Sequence, residues 1–420
     1  MTKIKVPLGG TLRTRAKKGH RLTKANTLRI LGVEDVRDTN ETHFLHLIRD
    51  RQPVSRTDLV KETGLRPGTV SVVVNRLMKA GFVYEAEEAP SSGGRRAVYL
   101  QVNAEKAYAV AIGIGVHQSI YMVSDFNGRV LSQHTVRTEG DAERFLTHLS
   151  KEIANHLKCH YAKARFWAVG VSVPGLLDRA DGTVVFSPNL QWDNVPVRRL
   201  LEKELKLPVF VENDANVAAL SELWYGPLDV SSAHSLLFVL IVEGIGTGFI
   251  LNGDLHIGTR VGSGGFGHIP LDPEGPPCSC GNIGCWEALA SDDATLKRFH
   301  QDQPGRSLEV RSVHDLISLA LNGDKNATQH ILKTGTLIGR GLRGLAHGLA
   351  PEVIVIGGAI TEAWPLIEPV LKKELKSGYL IEGMSLPQLR RASVESPSVF
   401  GGVPLALRTI LRTKKLRNAY

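Results

Sequence analysis

Apolar positions near the start of the chain repeat at the spacing of an α-helix. Between Thr42 and Asp50 they fit one helix face, and Pro53 then breaks the pattern. Ser55 and Asp58 have the spacing of a capping box, in which the two side chains satisfy free amide donors of a helix's first turn. The pattern therefore predicts two short helices in succession.

A third helix and a pair of strands follow these two helices. Gly64 suits a left-handed cap at the end of the second helix, and Pro67 suits the first turn of the third. The apolar face of the third helix consists of Val70, Val73, Val74 and Leu77. Gly81 ends this helix, and two predicted strands, Phe82–Ala86 and Ala97–Val102, are joined by a glycine-rich basic loop. Two helices joined by a turn and followed by a hairpin predict a winged helix-turn-helix.

Beyond Glu105, strands alternate with helices, which is typical of an α/β fold. One stretch has an apolar strand at Tyr108–Ile114 and an Asn127-Gly128 turn. A later stretch repeats this order with a strand at Ser235–Val242, a glycine-rich turn at 244–248 and another Asn-Gly pair. The repetition predicts two related subdomains around a cleft. The glycines alone are weak evidence for phosphate binding, because hairpins also use glycine for backbone geometry.

The composition is that of a soluble chain with room for two or three domains, at 420 residues, 42% apolar and 22% charged. No apolar run approaches the roughly 18 residues that span a bilayer. The basic N-terminus is not followed by an apolar segment of signal-peptide length. With four cysteines, the chain has no disulfide framework. We therefore expect a cytoplasmic protein that does not bind membranes.

The formal net charge of +9 comes from the first 100 residues, which hold 19 Lys+Arg and 10 Asp+Glu. The first 33 residues alone hold nine basic side chains and no acidic one, as expected of an arm that binds a polyanion or of a solvated tail. Together with the basic hairpin loop, this charge favours double-stranded DNA as the partner over the alternative, a helical domain that binds protein. The candidate DNA contacts are Arg56, Thr57, Arg66, Thr69, Ser71, Asn75, Arg76, Arg95 and Arg96.

A histidine and three cysteines have the most specific local pattern in the chain. His268 is followed within twenty residues by Cys278, Cys280 and Cys285. One imidazole and three thiolates make a closed tetrahedral set for a structural Zn²⁺ ion. Redox-active thiols are the alternative, which the histidine and the lack of a Cys-x-x-Cys pair disfavour. The fourth cysteine, Cys159, lies on a predicted amphipathic helix and is interpreted as a buried small hydrophobe.

The run from Gly267 to Glu287 resembles the signature of the ROK family (repressors, uncharacterised reading frames and sugar kinases). Four further stretches resemble that family in its usual order: Val173-Pro174-Gly175, Ser187-Pro188-Asn189-Leu190, Val211–Asn216 and Val355–Gly358. The resemblance covers about residues 106–415 and implies an actin-like fold, two ribonuclease-H-like halves around a sugar cleft. The winged helix ahead of it is the arrangement of the family's repressor branch. The expected segments are a basic arm at 1–40, the winged helix at 41–105 and the ROK domain at 106–420.

The resemblance also implies an effector site. A sugar or sugar derivative would be bound by Gly175, Asn189, Asn213, Asp214, His268 and Glu287. Without the matching neighbours, Asn213-Asp214 would be read as a local turn. The chain departs from the family at Gly265, where the family has a glutamate that contacts the sugar.

The kinases' phosphate loop, Asp-x-Gly-Gly-Thr, corresponds here to Gly115–Ser119, which lacks both the acidic residue and the glycines. Glu243, beside the second glycine-rich turn, would also repel a polyphosphate. We therefore expect no catalytic residue and no sugar phosphorylation. The favoured function is a sugar-responsive repressor that binds a pseudo-palindromic operator as a homodimer or homotetramer. The alternatives are a sugar kinase with an added DNA-binding domain, and a regulator that responds to a phosphosugar or to a protein partner.

Overall fold

The computed structural model describes residues 41, 44–45, 47–49, 51–88, 98–231, 233–258, 265–306, 308–377 and 386–412, without the side chains of 87–88, 228 and 409–412. The predicted basic arm, and the predicted DNA contacts Arg95 and Arg96, lie outside these residues.

The N-terminal unit is a winged helix-turn-helix, as the hydrophobic pattern predicts. The described positions between residues 41 and 51 are helical. The elements that follow are β1 (Val54–Ser55), α1 (Arg56–Thr63), α2 (Pro67–Lys79), β2 (Val83–Glu88) and β3 (Val98–Val102). The strands form a sheet in the order β1-β3-β2. The Ser55–Asp58 capping box and the left-handed cap at Gly64 are both present, and the four apolar residues predicted for the buried face of α2 are buried.

The next unit is the first lobe of a two-lobed domain. A 3₁₀ turn at Ala104–Lys106 leads into it. Its strands are β4 (Tyr108–Gly113), β5 (Gln118–Asp125), β6 (Val130–Arg137), β7 (Phe166–Val173), β8 (Leu176–Asp178), β9 (Thr183–Ser187), β10 (Trp192–Val195) and β11 (Val209–Asn213). Its helices are α3 (Ala142–His160), α4 (Val197–Leu205), α5 (Asp214–Tyr225) and α6 (Leu228–Ser231). The main sheet has the order β11-β7-β4-β5-β6, and β8, β9 and β10 form a small separate sheet.

The second lobe repeats this plan. Its strands are β12 (Ser235–Ile241), β13 (Ile245–Leu251), β14 (Asp254–Leu255), β15 (Val353–Gly357) and β16 (Gln388–Arg391). Its helices are α7 (Trp286–Ala290), α8 (Asp292–Asp302), α9 (Val313–Leu321), α10 (Lys325–Leu349) and α11 (Trp364–Lys376), with 3₁₀ turns at Phe266–His268, Pro304–Arg306 and Ala359–Ala363. Two more helices, α12 (Pro397–Phe400) and α13 (Gly402–Arg412), return to the first lobe.

The two main sheets have the same topology, which confirms the predicted duplication. The order β14-β13-β12-β15-β16 in the second lobe corresponds to β6-β5-β4-β7-β11 in the first. In both lobes the first strand pairs antiparallel with the second and parallel with the fourth. Each sheet therefore has the ribonuclease-H-like arrangement, and the pair makes an actin-like fold.

One hydrophobic core is shared by the winged helix and the first lobe. Phe82, next to β2, contacts Phe126 and Trp167 of the first lobe, with ring centroids 5.8 and 5.2 Å away. Helix α13 packs beneath the same sheet. Its Gly402 backbone lies so close to Gly170 that a Cβ on Gly170 would collide with the Gly402 carbonyl oxygen. The DNA-binding unit is thus built onto the first lobe by continuous apolar packing.

The interpretation of Cys159 as a buried hydrophobe is wrong. Helix α3 is amphipathic, and it buries Phe145, Leu146, Leu149 and Ile153. Cys159 lies beyond this stripe, near the C-terminal end of the helix, and is exposed. The helical spacing of apolar residues predicts which face of the helix is buried. It does not predict how much of that face the neighbouring elements cover.

Candidate effector cleft, metal cluster and DNA-binding face

A cleft of about 620 Å³ lies between the two lobes. All six residues implied as effector ligands line it: Gly175, Asn189, Asn213, Asp214, His268 and Glu287. They come from loops and element ends that are far apart in sequence. The volume is in the range of small-molecule sites in proteins.

Asn213 and Asp214 are at the junction of β11 and α5. Asn213 is the N-cap of α5: its Oδ1 accepts a hydrogen bond from the Ala215 amide at 3.0 Å, and its Nδ2 donates to the Gly175 carbonyl at 3.3 Å. Gly175 has φ +114°, and a Cβ there would lie 2.6 Å from the Phe186 carbonyl oxygen, so only glycine fits. Burial, with a smaller contribution from the Glu243 carboxylate, raises the pKa of Asp214 to about 6.

A buried ion pair beneath the cleft was not predicted from the sequence. Arg179 donates two hydrogen bonds to Glu212, at 2.6 and 2.8 Å, and Glu212 is almost fully buried. Glu212 Oε1 also accepts hydrogen bonds from the Asn213 amide at 2.7 Å and from Asn216 at 2.9 Å. The pair therefore fixes the backbone at the effector residues, and it occupies the one arginine among the described residues of the cleft wall.

Glu287 joins the cleft to the second glycine-rich turn. Its Oε2 accepts a hydrogen bond from the Ile245 amide at 2.9 Å. A Cβ on Gly244 would lie 2.6 Å from the same oxygen, which explains that glycine. Gly246 and Gly248 pack on α5 instead, since a Cβ on either would press on Ala215. Close packing therefore explains these glycines without phosphate binding.

His268, Cys278, Cys280 and Cys285 come together as a cluster that could hold a metal ion. Their potential ligand atoms all lie within 4.8 Å of one another. His268 Nδ1 is 3.6 Å from Cys278 Sγ, and the sulfurs of Cys280 and Cys285 are 3.7 Å apart. A tetrahedral ion with Zn–S of about 2.3 Å and Zn–N of about 2.0 Å needs S···N and S···S edges of about 3.6 and 3.8 Å. The donor set and these two distances therefore fit Zn²⁺.

Helix α2 carries four of the nine predicted DNA contacts. Thr69 and Asn75 are exposed, and Ser71 is half-buried. Arg76 is also half-buried, with its guanidinium 3.5 Å from the Glu41 carboxylate. Among the remaining candidates, Thr57 and Arg66 are exposed.

Arg56 has intramolecular partners in this structure. Its guanidinium donates to Glu85 at 2.6 Å and to the Asn75 side chain at 3.2 Å. It thereby ties α1 to α2 and to the first wing strand. The sequence could not reveal this, because Glu85 and Asn75 are 29 and 19 residues away from it.

The winged helix also contacts the far end of the helix that starts in the cleft. The guanidinium of Arg49 lies 3.3 Å from the ring centroid of Trp224, near the C-terminal end of α5. Gln52 bridges the same two units: it accepts a hydrogen bond from the Val102 amide at 2.9 Å and donates to Asn127 at 3.4 Å. A single helix thus links the effector residues to the DNA-binding unit.

A winged helix built onto a two-lobed actin-like domain defines a DNA-binding regulator on a sugar-kinase-like fold. The chain belongs to the ROK family, whose model matches residues 109–408. The model of the MarR family matches residues 35–97, which include the helices and the first wing strand of the winged helix.

Individual proteins of this family are similar to different shares of the chain. The xylose repressor of Bacillus subtilis (strain 168) is 31% identical over 344 residues, covering 81% of this chain and 88% of the relative. The crystal structure of a ROK family transcriptional regulator, a homologue of the Escherichia coli Mlc protein, covers 90% of this chain and 97% of its own, at 25% identity and a TM-score of 0.78. A ROK hexokinase from Thermus thermophilus is 30% identical with a TM-score of 0.60, and covers 72% of this chain and 99% of its own.

The likeness to the regulator takes in most of the chain, whereas the hexokinase is matched over a smaller part. The chain is therefore a transcriptional regulator of this family, as predicted, rather than one of its kinases. In the part of the chain that the structure describes, no helix is long and apolar enough to cross a membrane.

Proposed function

We propose that the protein is a repressor whose affinity for a pseudo-palindromic operator is controlled by a sugar bound between the two lobes. One observation carries this proposal: α5 begins with the effector residues Asn213 and Asp214 and ends with Trp224 against Arg49 of the winged helix. Ligand binding at one end of a rigid helix can then change the position of the DNA-binding unit at the other. In this proposal, residues 1–40 form a basic arm, residues 41–105 bind DNA, and residues 106–420 bind the sugar.

On the DNA side, α2 would enter the major groove of each half-site of a homodimer or homotetramer. Thr69, Ser71, Asn75 and Arg76 would lie near base edges, while Thr57 and Arg66 would contact phosphates. Arg95, Arg96 and the basic arm are proposed to add phosphate contacts from the sequence alone. Arg56 would reach DNA only by leaving Glu85, so we assign it first to holding the wing strand against the helices.

On the effector side, the cleft offers the paired donors and acceptors that vicinal hydroxyls need. Asp214 and Glu287 supply carboxylate oxygens, and Asn189 and Asn213 supply amides. With His268 Nδ1 directed toward Cys278, Nε2 is left to contact a hydroxyl. Gly265 lines the cleft with no side chain where the family has a glutamate. The effector would therefore lack the corresponding hydroxyl or carry a substituent there.

A zinc ion is proposed to hold the loop that presents His268 and Glu287. When bound, Zn²⁺ supplies four coordinate bonds with no open position, so its role would be structural. Cys285 Sγ lies 3.3 Å from the His268 carbonyl oxygen, and Cys278 Sγ lies 3.9 Å from a carboxylate oxygen of Glu287. Fixing the three sulfurs would thus fix both effector ligands.

The kinase alternative lacks support at the turn where a phosphate loop would be. The Gly115 carbonyl accepts a hydrogen bond from Thr138 at 2.8 Å, and the His117 carbonyl accepts one from the Thr138 amide at 3.1 Å. These two bonds tie the carbonyl groups of the turn to Thr138. His117 and Gln118 place exposed side chains at positions where the kinases have glycine.

Two measurements test the proposal. Thermal unfolding across a panel of sugars should single out a stabilising ligand, worth about 2.7 kcal/mol at 100 times its Kd. Gel shift with duplexes selected from a random pool should then show release of DNA by that sugar. A coupled ATP assay with the same sugar distinguishes the alternative: turnover above about 1 s⁻¹, an ordinary enzyme rate, would make the protein a bifunctional kinase.

A further inference from the structure

The charges around the cleft are unbalanced toward the negative. Among its described lining residues, the carboxylates are Asp214, Glu243 and Glu287, and the cationic side chains are Arg179 and His268. Arg179 is already paired with Glu212 through two hydrogen bonds. His268 belongs to the metal cluster. The described cleft wall thus has no uncommitted cation to offer an anionic group.

Three backbone amides at the two turns facing the cleft are also occupied. In the second turn, the Val242 amide donates to the Gly244 carbonyl at 2.9 Å, and the Ile245 amide donates to Glu287 at 2.9 Å. In the first turn, the Ile114 amide donates to the Ser172 carbonyl at 2.9 Å. A phosphate needs several converging N–H donors. These three amides are directed to other acceptors.

Glu243 is the centre of this negative region. Burial raises the pKa values of Asp214, Asp292 and Asp293, and the Glu243 carboxylate raises all three further. Four carboxyl groups from three elements therefore share one field at this end of the cleft. His314 and His117 act in the opposite direction on Asp292 and Asp293, but neither histidine lines the described cleft wall. A phosphate dianion placed beside these carboxylates would be repelled.

We propose that the effector is an unphosphorylated sugar and that Glu243 is the residue that excludes sugar phosphates. This inference rests on the sugar-sensing function proposed above. It narrows that function to one chemical class and assigns the discrimination to one carboxylate. Repulsion is an efficient way to discriminate between a sugar and its phosphate ester, which share all but one of their hydroxyl groups.

The test uses matched ligand pairs with the full chain. Binding of glucose, mannose, N-acetylglucosamine and xylose is measured by isothermal titration calorimetry, each beside a phosphate ester of the same sugar. We expect the free sugar of the binding pair to be preferred by about ten-fold or more. If the phosphate ester binds more tightly than its sugar, the inference is wrong and sugar sensing stands. If no member of any pair binds, the proposed function itself fails.

A substitution tests whether Glu243 causes the preference for the free sugar over its phosphate ester. Glu243→Gln removes the charge and keeps the shape, so the ratio of the two dissociation constants should narrow about ten-fold. Glu143→Gln removes the same charge from an exposed position on α3 outside the cleft wall, and should leave the ratio unchanged. An unchanged ratio in Glu243→Gln, or an equal change in both variants, would show that Glu243 is not the determinant.

Discussion

Asp214 should make the ligand-free protein less stable than it could be. Burial of its carboxyl group, with a smaller contribution from Glu243, raises the pKa from 3.8 to about 6, so that the group is still ionised at neutral pH. The substitution Asp214→Asn keeps an oxygen that can accept the Ala215 amide, as Oδ1 does now at 2.9 Å. It removes the buried charge. We therefore predict that the variant is more stable than the wild-type protein at pH 7 and yet loses its response to the effector.

The size of the effect follows from the two pKa values. A carboxyl group with a pKa of 3.8 in the unfolded chain and about 6 in the folded one lowers stability at pH 7 by about 3 kcal/mol, at about 1.4 kcal/mol per tenfold change in the ionisation constant. The penalty is full above the folded pKa. It falls as the pH drops through that value and disappears below the unfolded pKa. The advantage of Asp214→Asn should therefore be largest above pH 6 and shrink to zero near pH 4.

Thermal unfolding of both proteins between pH 4 and pH 8 measures this difference. Groups that the two proteins share cancel in the comparison. Asp181→Asn is the matched control, because Asp181 is exposed and also accepts a backbone amide, from Thr183 at 3.0 Å. Its stability difference from the wild type should be small and independent of pH. A variant Asp214→Asn that is less stable at pH 7, or whose difference does not change with pH, would refute the reasoning.

Effector binding should change in the opposite direction from stability. A carboxylate that accepts sugar hydroxyls contributes about 1.5–3 kcal/mol, so Asp214→Asn should weaken sugar affinity by about ten- to a hundred-fold. The thermal shift given by the sugar at a fixed concentration reads this out in the same experiment. Equal shifts in both proteins would place the sugar elsewhere.

Three further predictions concern the metal, the DNA and the link between them. Cys280→Ser, or a zinc chelator, should lower the unfolding temperature and abolish the sugar response; metal analysis without stoichiometric zinc would contradict this. Arg76→Ala should lower discrimination at one operator position by about 1–3 kcal/mol, as measured by competition gel shift; a uniform loss across sequences would make it a phosphate contact. Trp224→Leu should leave sugar and operator binding in place but reduce release by the sugar. Trp167→Leu is the control, because it removes a different aromatic contact between the same two units. An equal loss of sugar-induced DNA release in this variant would show that α5 is not the specific link.

Local chemistry was predictable where a residue acts on its near neighbours. Ser55 caps the helix that it precedes, and the cysteines of one short loop converge because glycines let it fold tightly. The paired topology of the two sheets also followed from repeated turns. These features depend on spacing alone, which the sequence displays directly.

Partnerships across long stretches of chain were not predictable. Arg179 and Glu212 are 33 residues apart, and only the approach of β8 to β11 makes them a pair. Arg56 has the charge and position of a DNA contact, but its first partner is Glu85. Cys159 fits an apolar pattern on its helix, but it is exposed. In each case the outcome depends on which surfaces meet, and periodicity along one segment carries no information about that.

In the proposed function, helix α5 is the element that connects the effector cleft to the winged helix. Trp224, which lies under Arg49, is about 15 Å along the helix from Asp214 in the cleft. Gly246 and Gly248 on one side, and Gly401 on the other, bring backbone so close to the helix that it has no space in which to bend. A close-packed helix of this kind moves as a unit, because deforming it would cost packing along its whole length.

The winged helix therefore has two attachments of different kinds. Its apolar core is continuous with the first lobe through Phe82 and Trp167, while Arg49 holds the end of α5, which packs against the second sheet. If a sugar draws the lobes together, the two attachment points shift relative to each other. The winged helix must then rotate or give up one contact, and either result changes the spacing of the two recognition helices in a dimer. Since half-site spacing is set by the DNA, a small rotation is enough to weaken operator binding.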